Sequence, residues 1–205
     1  MALSTFVKIC NISNLSEARY CAGMGVDQLG FNLNPNDKQA ISIETFMDIK
    51  EWIAGVDLVG EFGDIGQNDL LEIPQQLPLD LIETSNLELV EILGQQGRRI
   101  SFRIEIFHHL HVIDLLETLQ QLESHSVEQV IIESNSKQLL DEIKTEVNRF
   151  SGNLRIIKAF NVHLDSLSQL DGFQGIQLEG SEEDQPGLKD YGEVMDILVA
   201  LEIDD

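Results

Sequence analysis

Short runs rich in β-branched and aromatic residues alternate with stretches of helical apolar spacing along the whole chain. The runs at 6–10, 28–32, 58–62, 80–84, 100–106, 129–134, 154–160 and 175–179 read as strands. Between them, helical patterns fall near 15–24, 43–54, 68–76, 87–96, 109–123, 136–150, 163–170 and 187–202. Val112, Ile113, Leu115, Leu116, Leu119 and Leu122 recur at helical spacing and predict one helix through that stretch. Asn14 followed by Glu17 has the form of a capping box, with Asn in place of Ser or Thr.

Eight strand–helix units in 205 residues predict one (β/α)8 TIM barrel of parallel strands over residues 1–205, near the lower size limit of that fold. An open doubly wound sheet produces the same alternation. Even strand spacing favours the barrel, and so does the first loop, Asn11-Ile12-Ser13-Asn14, which lacks the glycines of a dinucleotide turn.

The first strand, Phe6-Val7-Lys8-Ile9-Cys10, carries the first chemical signal. Strand side chains alternate, so Lys8 and Cys10 share one face while Val7 and Ile9 share the other. A buried lysine needs a partner, so Lys and Cys on an inner face suggest a pocket. The alternative is a Lys8 that snorkels from an edge strand and a Cys10 that is a small core residue. In such barrels functional side chains gather at the C-terminal ends of the strands.

Composition narrows the classes. Hydrophobic residues make up 42% of the chain, as in an ordinary globular protein. No apolar run is long enough to span a bilayer, and the first residues lack a basic-then-apolar signal pattern. Cys10 and Cys21 form no disulfide framework, which fits a reducing compartment and a cytoplasmic location. Thirteen basic residues against 36 acidic ones leave a net charge of −23. Such a surface repels phosphate backbones, which excludes general nucleic-acid or anionic-membrane binding. A phosphate pocket in this chain would need its own positive or amide lining.

Several motifs resemble those of the phosphoribosylanthranilate isomerases. Val7-Lys8-Ile9-Cys10-Asn11-Ile12-Ser13-Asn14-Leu15 resembles the family's V-K-I-C-G-I-T-N-L. Gly25-Val26-Asp27-Gln28-Leu29-Gly30-Phe31 resembles G-A-D-A-L-G-F, and Val59-Gly60 with Phe62 resembles the third strand. Pro186-Gly187-Leu188-Lys189-Asp190 resembles P-G-x-K-D at the family's distance after the eighth strand. The resemblance implies an Amadori rearrangement, an aldose-to-ketose conversion of a phosphosugar by one general base and one general acid. It implies no cofactor and no metal, and a monomer or a homodimer.

By the same resemblance Cys10 holds the base position, with Lys8 favouring its thiolate, and Glu133 stands where the family has the aspartate that protonates the ring oxygen. The extra methylene of Glu133 matters, since a misplacement of about an ångström changes rates on the order of a hundredfold. The substrate-binding positions carried over are Lys8, Gln39, Glu83, Lys158, Gln177, Glu179, Gly180 and Ser181. Many depart from the family pattern. Gln39 replaces an anthranilate-binding arginine, Glu83-Thr84-Ser85-Asn86 replaces Q-L-H-G, and Gln177 replaces an aspartate. The phosphate-cradling G-G-T-G, A-G-G-L and S-S-G-V-E become Ser134-Asn135-Ser136-Lys137, Lys158-Ala159-Phe160-Asn161 and Glu179-Gly180-Ser181-Glu182. A carboxylate then stands where a phosphate would, unless Lys158 or Lys137 neutralises Glu179.

Two further constellations are weighed on the residues. Glu61, Glu83, Glu105, Glu133 and Glu179 fall at or near five strand ends, and could suit a cationic ligand or a hard metal if they converge. Exposure, or pairing with Lys8 and Lys158, is the ordinary account. His108, His109 and His111 could join Glu105 around a divalent ion, but they lack the spacing of a helical zinc site and read as a solvated helix start. No Ser-His-Asp arrangement, Walker loop or Rossmann fingerprint is present. The competing reading is a catalytically degenerate barrel that binds another small ligand or a protein partner. It expects a mouth plugged by Phe160 and by salt bridges among Lys8, Lys158, Glu133 and Glu179.

Overall fold

In the computed structural model, which describes residues 2–70, 77–125, 127–170, 172–182 and 189–203, eight parallel strands close into one barrel. They are β1 (Phe6–Ile9), β2 (Gln28–Asn32), β3 (Asp57–Glu61), β4 (Leu81–Thr84), β5 (Arg99–Glu105), β6 (Gln129–Glu133), β7 (Arg155–Lys158) and β8 (Gly175–Leu178). Each pairs with the next, and β8 returns to β1, which removes the open edges of a sheet. All fall on the runs singled out in the sequence, so the barrel expectation holds and the open sheet is excluded.

Among the described residues the helices include α1 (Leu15–Gly23), α2 (Ile43–Lys50), α3 (Leu87–Gln95), α4 (His109–Ile113), α5 (Leu115–Ser124), α6 (Leu140–Arg149) and α7 (Gly192–Leu201). Three start on side-chain caps: Asn14, Ser42 and Asn86 accept from the backbone N–H of Glu17, Thr45 and Glu88. At α1 the return bond of the capping box runs from Ser13 N–H to Glu17, at 2.8 Å, one residue earlier than the usual box. The single helix expected over 109–123 is two, broken at Asp114. The break turns Leu115, Leu119 and Leu122 into the core while Leu110 and Ile113 stay exposed. The stretch expected as a helix at 163–170 is a 3-10 helix, Leu164–Gln169. Of the expected 68–76 helix, residues 71–76 lie outside the described residues, as do Pro186, Gly187 and Leu188.

Among the described residues two short antiparallel pairings lie outside the barrel: Ala2–Leu3 with Glu202–Ile203, and Ser181–Glu182 with Lys189–Asp190. Asp27 and Asp80, each just before a strand, accept from the N–H of Val7 and Leu58 one strand back, both at 2.8 Å. Gln174 does the same for Ile156 at 2.7 Å. These side chains tie strand entries together at the end of the barrel opposite the mouth.

The apolar core is a sleeve between barrel and helices, including Val7, Ile9, Leu29, Phe31, Ile132 and Ile176. Phe31 meets Phe46 of α2 edge to face, with centroids 5.1 Å apart. The lumen is mixed, with Val59, Leu81 and Ile131 buried on the same inward face as polar side chains. Such barrels are usually filled with branched apolar side chains, but here Gln28 and Gln129 exchange amide hydrogen bonds of 3.1 and 2.8 Å inside it.

Candidate active site

Alternation sends Lys8 and Cys10 into the lumen while Val7 and Ile9 pack under the helices. Register then decides who meets whom. Lys8 pairs across with Gln28 and Gln177, Glu61 with Glu83, and Glu83 with Ser101. Two carboxylates side by side in a buried ring demand counter-charge.

Lys8 supplies it from β1, with its ammonium 2.7 Å from Glu61, 2.5 Å from Glu83 and 2.9 Å from the Gln177 carbonyl oxygen. All three ammonium hydrogens therefore have acceptors. Arg103 of β5 supplies the second cation. Its guanidinium holds one oxygen of Glu83 through two donors, at 2.9 and 2.6 Å, and donates to Glu133 at 2.6 Å. Ser101 donates to the other Glu83 oxygen at 3.1 Å. Gly30 makes room for the cluster, because a Cβ there would lie 2.2 Å from a Glu61 oxygen. Burial alone would lower the Lys8 pKa, yet Glu61 and Glu83 outweigh it and the net shift is upward. Burial pushes the Glu83 carboxyl up, while Lys8 and Arg103 pull it down to about 2. Both stay charged at neutral pH.

Above this layer lies the rim. Cys10 is buried, and its thiol donates to Glu179 across 3.7 Å. Asn11, in the left-handed region at φ 54°, donates its side-chain amide to the other Glu179 oxygen at 2.8 Å. Its backbone N–H donates to Glu61 at 3.0 Å. Asn tolerates that backbone conformation better than most residues, and the resembled motif has glycine here. Glu179 lines a pocket of about 220 Å³ with Gln177, Phe160, His163, Asp190 and Glu193, between the ends of β7 and β8 and the helix α7.

Several sequence expectations change at this point. Lys8 does not leave Cys10 a ready thiolate. Burial, Glu61 and Glu179 together drive the thiol well above its ordinary range, and the opposing pull of Lys8 is smaller. Lys158 pairs in register with Ile132 and Ile176, so it shares their helix-packed face and does not face Glu179 across the lumen. Its ammonium lies 5.6 Å from the centroid of Phe160. Salt bridges do fill the lumen, but the second cation is Arg103, which sequence reasoning missed. Period-two alternation along β5 puts Arg103 on the same face as Ser101, a spacing that would have pointed to it.

Cys10 and Glu133 both reach the mouth but are held by different partners, Glu179 and Arg103. Lys8 and Glu83 lie beneath it, bonded to each other, and Gln177 joins them while also lining the pocket. Gln39 is exposed in the loop between β2 and α2, where its N–H donates to Asp37. Gly180 is buried just past β8, and the Ser181 side chain lies outside the described residues. His108, His109 and His111 are exposed around the start of α4, with His109 2.5 Å from Glu142. Among the described residues no cluster fit to hold a metal ion occurs, and no helix is long and apolar enough to cross a membrane.

Fold and site together define a parallel (β/α)8 barrel with titratable side chains converging at the C-terminal mouth, the architecture of barrel enzymes. The chain is similar to N-(5'-phosphoribosyl)anthranilate isomerases in both sequence and fold. That of Clostridium beijerinckii is 23% identical over 133 residues, covering 63% of this chain and 58% of the relative. Isomerase 3 of Arabidopsis thaliana, a chloroplastic protein, is 24% identical over 137 residues, covering 62% of this chain and 53% of the relative. The matches thus span little more than half the length of these curated relatives. The crystal structure of phosphoribosylanthranilate isomerase from Thermotoga maritima superposes with a TM-score of 0.77 at 18% identity, covering 96% of this chain and 98% of the other. No family model matches the chain. The resemblance read from the motifs is borne out, and the fold is that of the family.

Proposed function

We propose that the chain is an aldose–ketose isomerase of the phosphoribosylanthranilate isomerase type, acting at the C-terminal mouth of its barrel on a sugar carrying an aromatic amine. The observation that carries this reading is convergence. A thiol at the end of β1 and carboxyls at the ends of β6 and β8 reach one mouth, Cys10, Glu133 and Glu179, above a lumen locked by ion pairs. An internal isomerisation needs one group to take a proton and another to give one, with no redox partner. By resemblance, the place of the base that takes a proton from the sugar carbon beside the reacting centre falls at Cys10, at the end of β1, and Glu133 protonates the ring oxygen as the ring opens. Lys8, Gln39, Glu83, Lys158, Gln177, Glu179, Gly180 and Ser181 are the carried-over binding positions. Of these, Gln177 and Glu179 line the pocket.

Expression in a tryptophan auxotroph lacking this isomerase tests the reading. Growth should return with the wild-type chain and fail with Glu133→Gln. A well-expressed wild-type chain that leaves the strain auxotrophic would overturn it.

A further inference from the structure

Two departures from the resembled motifs touch each other. Asn11 stands where the family motif has glycine, and Glu179 where it has the first serine of S-S-G-V-E; their side chains are joined by a 2.8 Å hydrogen bond. The other Glu179 oxygen is 3.7 Å from the Cys10 sulfur. The carboxylate is therefore oriented on both oxygens by residues at the end of β1. It is exposed and lines the pocket, while Cys10 is 3% exposed behind it. We infer that Glu179, and not Cys10, is the base that takes the substrate's carbon-bound proton at this mouth. Cys10 acts as a donor that steers the carboxylate.

The inference rests on the isomerase reading and deepens it. Three features favour Glu179 independently of that resemblance: its place on the pocket wall, its fixed orientation, and the neighbouring thiol, which burial, Glu61 and Glu179 itself hold in its protonated form. The step balances within one molecule. With the ring opened and a C=N bond formed to the amine, Glu179 removes the proton from the adjacent carbon. The C–H electron pair becomes a C=C bond, the C=N electrons move onto nitrogen, and Glu179 becomes the neutral acid. The resulting enol collapses to the ketose, its hydroxyl proton leaving as the former C=N carbon gains one. No oxidant or cofactor enters. Among the described residues, the titratable groups around the pocket include His163, Asp190 and Glu193, with His163 2.8 Å from Glu193, and Tyr191 also feels the charge of Glu179 and Cys10.

The test is steady-state turnover of N-(5'-phosphoribosyl)anthranilate by the full chain and by Glu179→Gln, Glu179→Asp and Cys10→Ser, each checked for folding by thermal melting. Glu179→Gln should lower kcat by about a hundredfold or more, and Glu179→Asp should recover part of it. Cys10→Ser should lower kcat by no more than about tenfold, since a hydroxyl can still donate. With the Cys10 thiol raised by burial, a thiolate base would make wild-type kcat/KM climb with pH above neutrality, and the inference expects no such climb. Cys10→Ser falling as far as Glu179→Gln would overturn the inference. So would a Glu179→Gln that changes only KM, or one that turns over faster because removing a neighbouring anion frees the thiolate; each leaves the isomerase reading standing. A folded wild-type chain without turnover would overturn both.

Discussion

Lys8 shows how one side chain can decide the chemistry of a lumen. Its ammonium neutralises Glu61 and Glu83, which sit side by side on adjacent strands and would otherwise repel each other. A buried pair adds little over an apolar isostere, but removing one partner strands the other charges. Lys8→Met should therefore destabilise the fold by about 3–5 kcal/mol. The check is the midpoint of urea unfolding at neutral pH, and a loss under about 1 kcal/mol would mean that Arg103 alone holds the carboxylates. Lys8 and Cys10 were legible from alternation in β1. Arg103 was not singled out, because its importance comes from the Glu83 and Glu133 neighbours that closure of the barrel brings to it. The state of Cys10 was misread for a similar reason. The sequence shows the nearby Lys8, while burial and the Glu61 and Glu179 carboxylates exist only in the closed barrel.

The elements were the most legible level. Strand positions and most helices follow from periodicity, and Asn14, Ser42 and Asn86 mark helix starts through ordinary capping chemistry. The α4–α5 break at Asp114 was not legible, because the apolar spacing runs through it. Element closure also has a prediction of its own. Gly175 opens β8 where a Cβ would lie 2.8 Å from the Phe6 backbone oxygen of β1, a contact that no side-chain rotation relieves. Gly175→Ala should force the two strands apart and lower stability by roughly 1–3 kcal/mol. Urea unfolding should show a lower midpoint with an unchanged slope; an unchanged midpoint would mean that the closure is more yielding than its geometry implies.

At the scale of the whole molecule, the buried ion pairs tie folding to pH. The Glu83 carboxyl falls from 4.5 to about 2 in the folded chain, so the unfolded chain binds its proton first as the pH drops. Its contribution is fully present above about pH 4.5 and is lost as the pH falls through about 2. The loss is on the order of 3 kcal/mol. Urea unfolding at a series of pH values should show this decline, and Glu83→Gln should flatten it. An unchanged slope in that variant would place the acid sensitivity among the many other carboxylates.

Hydrophobic period, turn residues and caps are local properties, so residues a few positions apart carry them. For that reason the (β/α)8 order, the inward direction of Lys8 and Cys10, and the family resemblance could all be read along the chain. Which polar groups meet is a property of register and closure between strands up to 169 residues apart, as with Lys8 and Gln177. The ion-pair lattice under the mouth, the outward turn of Lys158 and the contact of Glu179 with Cys10 were therefore settled only by the tertiary structure. Burial and neighbouring charge, which exist only after closure, set the protonation of Lys8, Cys10 and Glu83.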